Sequence, residues 1–171
     1  CFKCVAGSYC EAGASAALPC PSGRYQNGTM AALNLSMTSE DDCIECPAGS
    51  FCSTGSEVAT ACSPGTVQPA TGQGACIECA AGTFMNHTSA TACVDCPEGS
   101  HCAVGASAPL PCAGGSFGNV SNLRSQAECF SCPAGHFCFA GSMEPSACGV
   151  GTYAEERSSQ LCEACEEGKY Q

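Results

Sequence analysis

The sequence has little of the material from which an ordinary hydrophobic core is built. It contains no tryptophan, aromatic residues make up 6% of it, and the 44% that counts as apolar is mostly alanine and cysteine. A chain with so few large apolar side chains buries too little surface to stabilise a conventional core. The composition therefore excludes a large globular domain held together by hydrophobic burial alone.

Basic residues are also scarce. Five Lys and Arg stand against sixteen Asp and Glu, which gives a formal net charge of −11. Nucleic-acid binding needs clustered cations to neutralise phosphates, so nucleic acid is excluded as a partner. We interpret the acidity as a solvated surface. No apolar run approaches the roughly 20 residues of a membrane span, and no signal peptide is recognisable.

Cysteine is abundant instead. Twenty of the 171 residues are cysteine, a level typical of disulfide scaffolds. Disulfides persist in oxidising compartments, so we expect an extracellular or cell-surface protein made in the secretory pathway. The expected fold class is small and disulfide-rich: an elongated tandem array of short β-hairpin and loop units with almost no helix. The one stretch where a single helical turn is expected is 29–40.

Most cysteines belong to a six-residue motif, Cys-x-x-Gly-x-aromatic, which we call the core unit. Glycine occupies its fourth position in every copy, and an aromatic residue its sixth position in all but two, where Val67 and His101 stand. The ten core units are 4–9, 20–25, 46–51, 62–67, 79–84, 96–101, 112–117, 132–137, 148–153 and 165–170. Glycine permits a positive φ, so each unit predicts a tight turn followed by a short strand. We expect the aromatic residue to lie across a neighbouring disulfide.

The core units alternate between a short kind, with another cysteine directly after the aromatic, and a long kind, with a hydrophilic loop. Regular self-similarity of this sort predicts a linear array in which each unit touches mainly its neighbours. The predicted repeats are 1–42, 43–75, a half-repeat at 76–92, 93–128, 129–161 and the start of another at 162–171. We therefore expect the chain to be an internal fragment of a longer protein.

The half-repeat favours one disulfide pattern, in which each core cysteine bonds to the next cysteine along the chain. The predicted pairs are Cys4–Cys10, Cys20–Cys43, Cys46–Cys52, Cys62–Cys76, Cys79–Cys93, Cys96–Cys102, Cys112–Cys129, Cys132–Cys138 and Cys148–Cys162. Deleting one loop leaves every other such pair intact, and Cys1 and Cys165 stay single. A crossed scheme, with Cys43–Cys52 and Cys46–Cys62, remains open because spacing alone does not settle connectivity.

Four sequons for N-linked glycosylation lie in the long loops. They are Asn27-Gly-Thr, Asn34-Leu-Ser, Asn86-His-Thr and Asn119-Val-Ser. Asn27, Asn86 and Asn119 occupy equivalent places shortly after the sixth-position aromatic, which favours these three. The predicted partners are accordingly N-linked glycans, flanking repeats of the same chain and other copies in a fibre.

Other chemistry has weaker support. The pairs Cys76-x2-Cys79 and Cys93-x2-Cys96 have zinc-ribbon spacing, but a ribbon needs one isolated set of four cysteines. A redox CxxC needs a helix N-terminus after a strand. We interpret His87, His101 and His136 as packing or surface residues, and the pairs of acidic residues as solvated rather than calcium-binding. No nucleophile with a matched base stands out, so we expect neither an enzyme nor a cofactor or metal.

The run Cys-x2-Cys-Pro-Ala-Gly-x-Phe, present at 43–51 and 129–137, resembles the cysteine-rich repeat of ephrin-receptor ectodomains. The same repeat occurs in long tandem arrays in secreted and surface proteins of protists and algae. The chain is also similar to the modules of tumour-necrosis-factor receptors and to EGF-like modules. The resemblance covers the whole fragment and implies a disulfide-laddered rod. The cysteine directly after the aromatic departs from the receptor versions, so no ligand-contact residue is carried over.

These observations favour a structural segment of a large extracellular glycoprotein, such as a stalk, coat, flagellar hair or cell-wall fibre. The alternative is the ectodomain of a ligand-binding receptor or adhesin. That alternative requires a contiguous exposed apolar patch. Its candidate loops are 58–61, 106–111 and 139–143.

Overall fold

Tight turns and two-residue strands make up nearly all of the regular structure. The computed structural model describes residues 4–26 and 37–170. In nine core units the chain turns at the fourth-position glycine and enters a strand at the fifth position. Gly49, for example, has a φ of 76° and leads directly into a strand at Ser50–Phe51. A side chain at such a φ is strained, so glycine is required there.

The strands of the described residues are numbered in chain order. They are β1 Ser8–Tyr9, β2 Leu18–Pro19, β3 Arg24–Tyr25, β4 Ile44–Glu45, β5 Ser50–Phe51, β6 Thr60–Ala61, β7 Thr66–Val67, β8 Ile77–Glu78, β9 Thr83–Phe84, β10 Val94–Asp95, β11 Ser100–His101, β12 Leu110–Pro111, β13 Ser116–Phe117, β14 Phe130–Ser131, β15 His136–Phe137, β16 Ser146–Ala147, β17 Thr152–Tyr153 and β18 Glu163–Ala164.

Consecutive strands pair into antiparallel hairpins, from β1–β2 to β17–β18. In each hairpin the sixth-position residue of the core unit lies opposite the first residue of the second strand, as Tyr25 lies opposite Ile44. Where both residues are aromatic the rings meet, with the centroids of Phe117 and Phe130 5.6 Å apart. No described sheet has more than two strands, so the predicted fold class of small disulfide-rich tandem units is confirmed.

Helix is confined, among the described residues, to two single turns of 3-10 helix. They are Glu40–Asp42 and Gln126–Glu128, and each ends directly before a loop-closing cysteine, Cys43 or Cys129. These two cysteines close the longest loops in the chain. The turn expected within 29–40 falls mostly outside the described residues, because 27–36 are not described, and the observed turn begins at Glu40.

Cystines take the place of a hydrophobic core. Among the described residues, the largest fully buried side chains are all cysteines: Cys20, Cys46, Cys52, Cys62, Cys79, Cys96, Cys102, Cys112, Cys132 and Cys138. In one described cluster the ring of Tyr9 packs against Cys20, Cys43 and Met37. The expectation that an aromatic residue lies against a neighbouring cystine is therefore met at this unit.

The chain divides into two compact units. The first comprises 1–78 and 85–93, and the second 79–84 and 94–171. Hairpins β1–β2 to β7–β8 lie in the first, and hairpins β9–β10 to β17–β18 in the second. No helix within the described ranges has the length and apolar character that crossing a bilayer would require.

Candidate functional site

Within the described residues, disulfides join the first cysteine of a core unit to the next cysteine along the chain, except at Cys165, which is free. The bonds are Cys4–Cys10, Cys20–Cys43, Cys46–Cys52, Cys62–Cys76, Cys96–Cys102, Cys112–Cys129, Cys132–Cys138 and Cys148–Cys162. Their Cα atoms are 5.8–6.0 Å apart, the usual spacing for a disulfide. Cys79 and Cys93 are also disulfide-bonded. Adjacent pairing is thus the arrangement in the structure, and the crossed pairs Cys43–Cys52 and Cys46–Cys62 are not formed.

The four cysteines with zinc-ribbon spacing are all oxidised. Cys76 bonds to Cys62 and Cys96 bonds to Cys102, while Cys79 and Cys93 are disulfide-bonded as well. A structural zinc site needs thiolate ligands. These four residues therefore form no ribbon in the structure.

Main-chain hydrogen bonds join each core unit to the next. Between units 46–51 and 62–67, Gly49 N–H donates to the Gln68 carbonyl at 2.7 Å and Cys52 N–H donates to the Gln73 carbonyl at 3.0 Å. In the opposite direction, Gly72 N–H donates to the Cys46 carbonyl at 2.8 Å. Three bonds of this kind leave few main-chain groups at the junction without a partner.

The same three bonds recur in the second compact unit. Between core units 96–101 and 112–117, Gly99 N–H donates to the Gly118 carbonyl at 2.8 Å and Cys102 N–H donates to the Leu123 carbonyl at 2.9 Å. Asn122 N–H donates to the Cys96 carbonyl at 2.8 Å. The junction is therefore a repeated structural element made from backbone atoms.

Each junction contains a residue in the left-handed region, four or five positions beyond the sixth-position residue. We call these the left-handed residues: Gly13, Gly55, Gly72, Ser89, Gly105, Asn122, Gly141 and Ser158. Except at Gly13, their N–H groups make the bond to the preceding unit described above. Sequence reasoning missed them. The available signal was a recurring glycine, asparagine or serine at this offset, the residue types that best tolerate or cap such a turn.

The carbonyl of a left-handed residue also lies against the turn glycine two core units earlier. A Cβ added to Gly82 would lie 2.6 Å from the carbonyl oxygen of Asn122, and one added to Gly49 would overlap that of Ser89. The turn glycines are therefore required for close approach as well as for their φ. The expectation that units touch mainly their neighbours omitted this second contact.

In the long core units the seventh position, where the short units have cysteine, is filled by a buried residue. These residues are Gln26, Gln68, Met85, Gly118 and Ala154. Buried Gln68 is hydrogen-bonded, since its Nε2 donates to the Ala75 carbonyl at 2.7 Å and its Oε1 accepts from Ala70 N–H at 3.2 Å. The glutamine thus has partners for both ends of its amide, as a buried polar group requires.

A carboxylate caps each 3-10 turn. Asp42 Oδ2 accepts from Thr38 N–H at 2.7 Å and from Ser39 N–H at 3.0 Å, and these backbone donors hold the pKa of Asp42 below its usual range. Glu128 Oε2 accepts from Arg124 N–H at 2.7 Å in the equivalent place. The acidic residues before Cys43 and Cys129 therefore include structural caps.

Asn86 and Asn119 are exposed and lie outside the strands. Asn27 and Asn34 lie outside the described residues. Glycosylation at all four sites stays a prediction.

The three histidines have different surroundings. His87 is exposed and His136 half-buried, and Nδ1 of each lies 3.2 Å from a nearby carbonyl, of Thr88 and Ala134 respectively. Nδ1 of His101 is buried without a hydrogen-bond partner among the described residues. A ring nitrogen of His101 and the Sγ atoms of Cys112 and Cys129 lie within 4.8 Å of one another.

An open cleft of about 410 Å³ lies beside Cys165, the free cysteine among those described. Tyr153 lines it and donates a hydrogen bond from its hydroxyl to Glu163 at 3.3 Å. The charge of Glu163 is the main cause that raises the pKa of the Tyr153 phenol. The cleft is walled by exposed side chains, including Tyr170 and the Lys169–Glu166 ion pair.

The loops considered for ligand binding carry exposed apolar side chains. Val58, Leu110, Phe139 and Met143 are each more than half exposed. The rings of Phe137 and Phe139 also meet edge to face, with centroids 5.1 Å apart. These residues show that some apolar surface is available in the predicted loops.

The family model described as tyrosine-protein kinase ephrin type A/B receptor-like matches residues 49–96 and 65–109. The resemblance to the ephrin-receptor-like repeat is confirmed for these residues. No curated protein matches the chain. Repeats of this family are typically non-catalytic ectodomain modules, and together with the disulfides they indicate an extracellular, disulfide-rich domain.

Proposed function

We propose that this chain is a structural segment of a large extracellular glycoprotein, serving in a stalk, coat or filament such as a flagellar hair or cell-surface fibre. The observation that supports this proposal is the junction between core units. Each junction joins disulfide-closed loops through main-chain hydrogen bonds. A pulling force on the chain is therefore resisted by disulfides and by hydrogen-bonded backbone in every core unit. We propose the repeat boundaries given above as the periods of this array.

Force spectroscopy tests the mechanical part of the proposal. With adjacent pairing, force bypasses every residue inside a disulfide loop. The oxidised chain between Cys4 and Cys162 should then extend to roughly two fifths of the length of the reduced chain, at about 3.5 Å per residue. The reduced chain in the same instrument is the control. Equal extension of the two forms would show that the disulfides do not carry the load.

Location tests the biological part. Antibodies against this chain should label extracellular fibres or surface coats by electron microscopy of the cells that produce it. Label confined to a diffuse plasma-membrane distribution would contradict a fibre and favour the alternative below.

A ligand-binding receptor or adhesin ectodomain is the second candidate. It is supported by the exposed apolar residues Leu110, Phe139 and Met143. The description of the matched family, which names a receptor tyrosine kinase, also favours it. If this candidate is right, F139S combined with M143S should abolish binding of the soluble chain to its target cells. The matched control V104S changes an equally exposed apolar residue outside the three loops.

A further inference from the structure

His101 occupies a position that eight other core units fill with an aromatic ring. It lies opposite Leu110 in hairpin β11–β12, in the same register as Phe137 opposite Ser146 and Tyr9 opposite Leu18. In each case the core cysteine of the next unit follows two residues after that partner. His101 therefore replaces a ring that packs on a cystine, here Cys112–Cys129.

An imidazole is a costly substitute for an aromatic ring at this place. Nδ1 of His101 is buried and has no partner in the described part of the chain. A buried nitrogen without a hydrogen bond destabilises the folded state, so its presence requires an explanation such as a missing ligand. The nearest candidate chemistry is sulfur, because the Sγ atoms of Cys112 and Cys129 lie within 4.8 Å of a ring nitrogen of His101 and of each other.

We propose that reduction of the Cys112–Cys129 disulfide creates a three-ligand Zn²⁺ site from His101 Nδ1 and the two thiolates, with water as the fourth ligand. The reductant is a dithiol: it breaks the disulfide bond, each cysteine sulfur gains one electron and one proton, and the dithiol becomes a disulfide. Zn²⁺ then displaces the two thiol protons. The unpaired Nδ1 supplies the third ligand without losing an existing hydrogen bond.

The local structure keeps the three ligands together after the bond opens. Gln126, three residues before Cys129, accepts from Ala113 N–H at 2.8 Å and donates to Ser116 Oγ at 3.1 Å. Ala113 directly follows Cys112, so these two bonds hold the ends of the loop independently of the disulfide. The Cα atoms of the two cysteines are 6.0 Å apart. That spacing allows the sulfurs to separate to the approximately 3.7 Å that tetrahedral zinc with bonds of about 2.3 Å requires.

The test is protection from alkylation. The folded chain is treated with a graded amount of a phosphine, with and without Zn²⁺, and pulse-alkylated, and each cysteine is quantified by mass spectrometry. Zn²⁺ should protect Cys112 and Cys129 but not Cys148 and Cys162, the equivalent pair beside Phe137. H101F restores the usual aromatic residue and should raise the Zn²⁺ concentration needed for protection by at least about tenfold.

A second variant keeps the proposal falsifiable if H101F does not fold. F137H places imidazole beside Cys148–Cys162 in an otherwise unchanged chain and should confer Zn²⁺ protection on that pair. Co²⁺ in place of Zn²⁺ should give a thiolate-to-cobalt charge-transfer band in the reduced wild-type chain. Equal protection of the two pairs in the wild type, equal midpoints in wild type and H101F, or no gain in F137H would each overturn the proposal. None of these results bears on whether the chain forms a fibre.

Discussion

Turn glycines determine how closely two core units approach. Gly49 and Gly135 occupy the same position in their core units and have the same φ of 76°, but their surroundings differ. A Cβ on Gly49 would overlap the carbonyl of Ser89, whereas nothing lies within 4 Å of the place where a Cβ on Gly135 would be. Comparing the two glycines therefore separates two effects of adding a Cβ: the strain of a left-handed φ, which both positions share, and the clash with the Ser89 carbonyl, which only Gly49 has.

We predict that Gly49→Ala destabilises its junction more than Gly135→Ala destabilises the chain around it. In both variants the free energy of unfolding should fall by about 1–2 kcal/mol, because alanine is strained at a left-handed φ. Only Gly49→Ala must also displace Ser89, whose N–H donates to the Cys62 carbonyl at 3.0 Å. Hydrogen exchange of the Ser89 amide should therefore accelerate in the first variant alone. Unchanged exchange there would mean that the contact with Ser89 is not needed.

The capping carboxylate of Asp42 makes one turn dependent on pH. Its two backbone donors lower the pKa of the Asp42 carboxyl in the folded protein below the ordinary value of about 3.9. The stabilisation is therefore complete above that ordinary value and is lost as the pH falls through the lower folded pKa. We predict that carboxyl NMR will show the low pKa, and that the Thr38 and Ser39 amides will exchange faster over the same acid range.

Asp42→Asn is the matched control for this titration. The amide oxygen still accepts a hydrogen bond but carries no charge, so exchange at Thr38 and Ser39 should become independent of pH in that range apart from intrinsic chemistry. A wild-type chain that behaves like the variant would show that the carboxylate does not cap the turn.

Each hairpin is an element too small to be stable alone. Two-residue strands give few ladder bonds, and an isolated hairpin is marginal at best in water. A disulfide closing a loop of this size contributes about 2–3.5 kcal/mol by loop-closure entropy, more for longer loops. Disulfide connectivity therefore decides whether the elements form at all.

The four methionines give a direct test of connectivity at this scale. In the adjacent scheme a bond spans Met30 and Met37 (Cys20–Cys43) and another spans Met85 (Cys79–Cys93), but none spans Met143. We predict that cyanogen bromide cleavage of the unreduced protein releases 144–171 and the cysteine-free peptide 31–37, while 1–30, 38–85 and 86–143 stay linked. The crossed scheme gives the opposite pattern: the chain stays linked across Met143 and separates at the other methionines. Mass spectrometry distinguishes the two outcomes in one experiment.

At the scale of the whole molecule, the acidic charge and the exposed sequons indicate a strongly hydrated surface. The net charge is −11, and Asn86 and Asn119 are exposed at loop positions. We predict that glycopeptide mapping of the protein from its native source finds N-linked glycans at Asn86 and Asn119. The same mapping should find one at Asn27, which has the equivalent place in its own loop.

Asn86→Gln and Asn119→Gln should each remove one glycan and leave the disulfide map unchanged, because neither side chain is part of a junction. Protease digestion of the double variant should begin earlier in these loops. Finding Asn27, Asn86 and Asn119 all bare in the native protein would remove the support for a glycoprotein.

Cysteine and glycine spacing, read from the sequence alone, was enough for the fold class and for the turn and strand of nine core units, and it favoured, without settling, the adjacent pairing present in the structure. These features are local. The turn at Gly49, the strand at Ser50–Phe51 and the disulfide Cys46–Cys52, whose cysteines are six residues apart, all lie within one short segment. The physical causes are a permitted φ, a short reach and oxidation. The φ depends on residue type, the reach on the spacing of the cysteines, and oxidation on the compartment.

Tertiary structure alone decided how units stack. The junction uses backbone N–H and C=O groups, which every residue has, so the sequence does not show which groups pair, such as the N–H of Asn122 with the carbonyl of Cys96. Ser89 and Ser158 adopt a left-handed conformation without being glycine, because their position between two units imposes it. The burial of His101 Nδ1 and the position of the His101 ring near Cys112 and Cys129 are likewise consequences of that stacking. Read in the sequence, the same histidine predicts only packing or exposure.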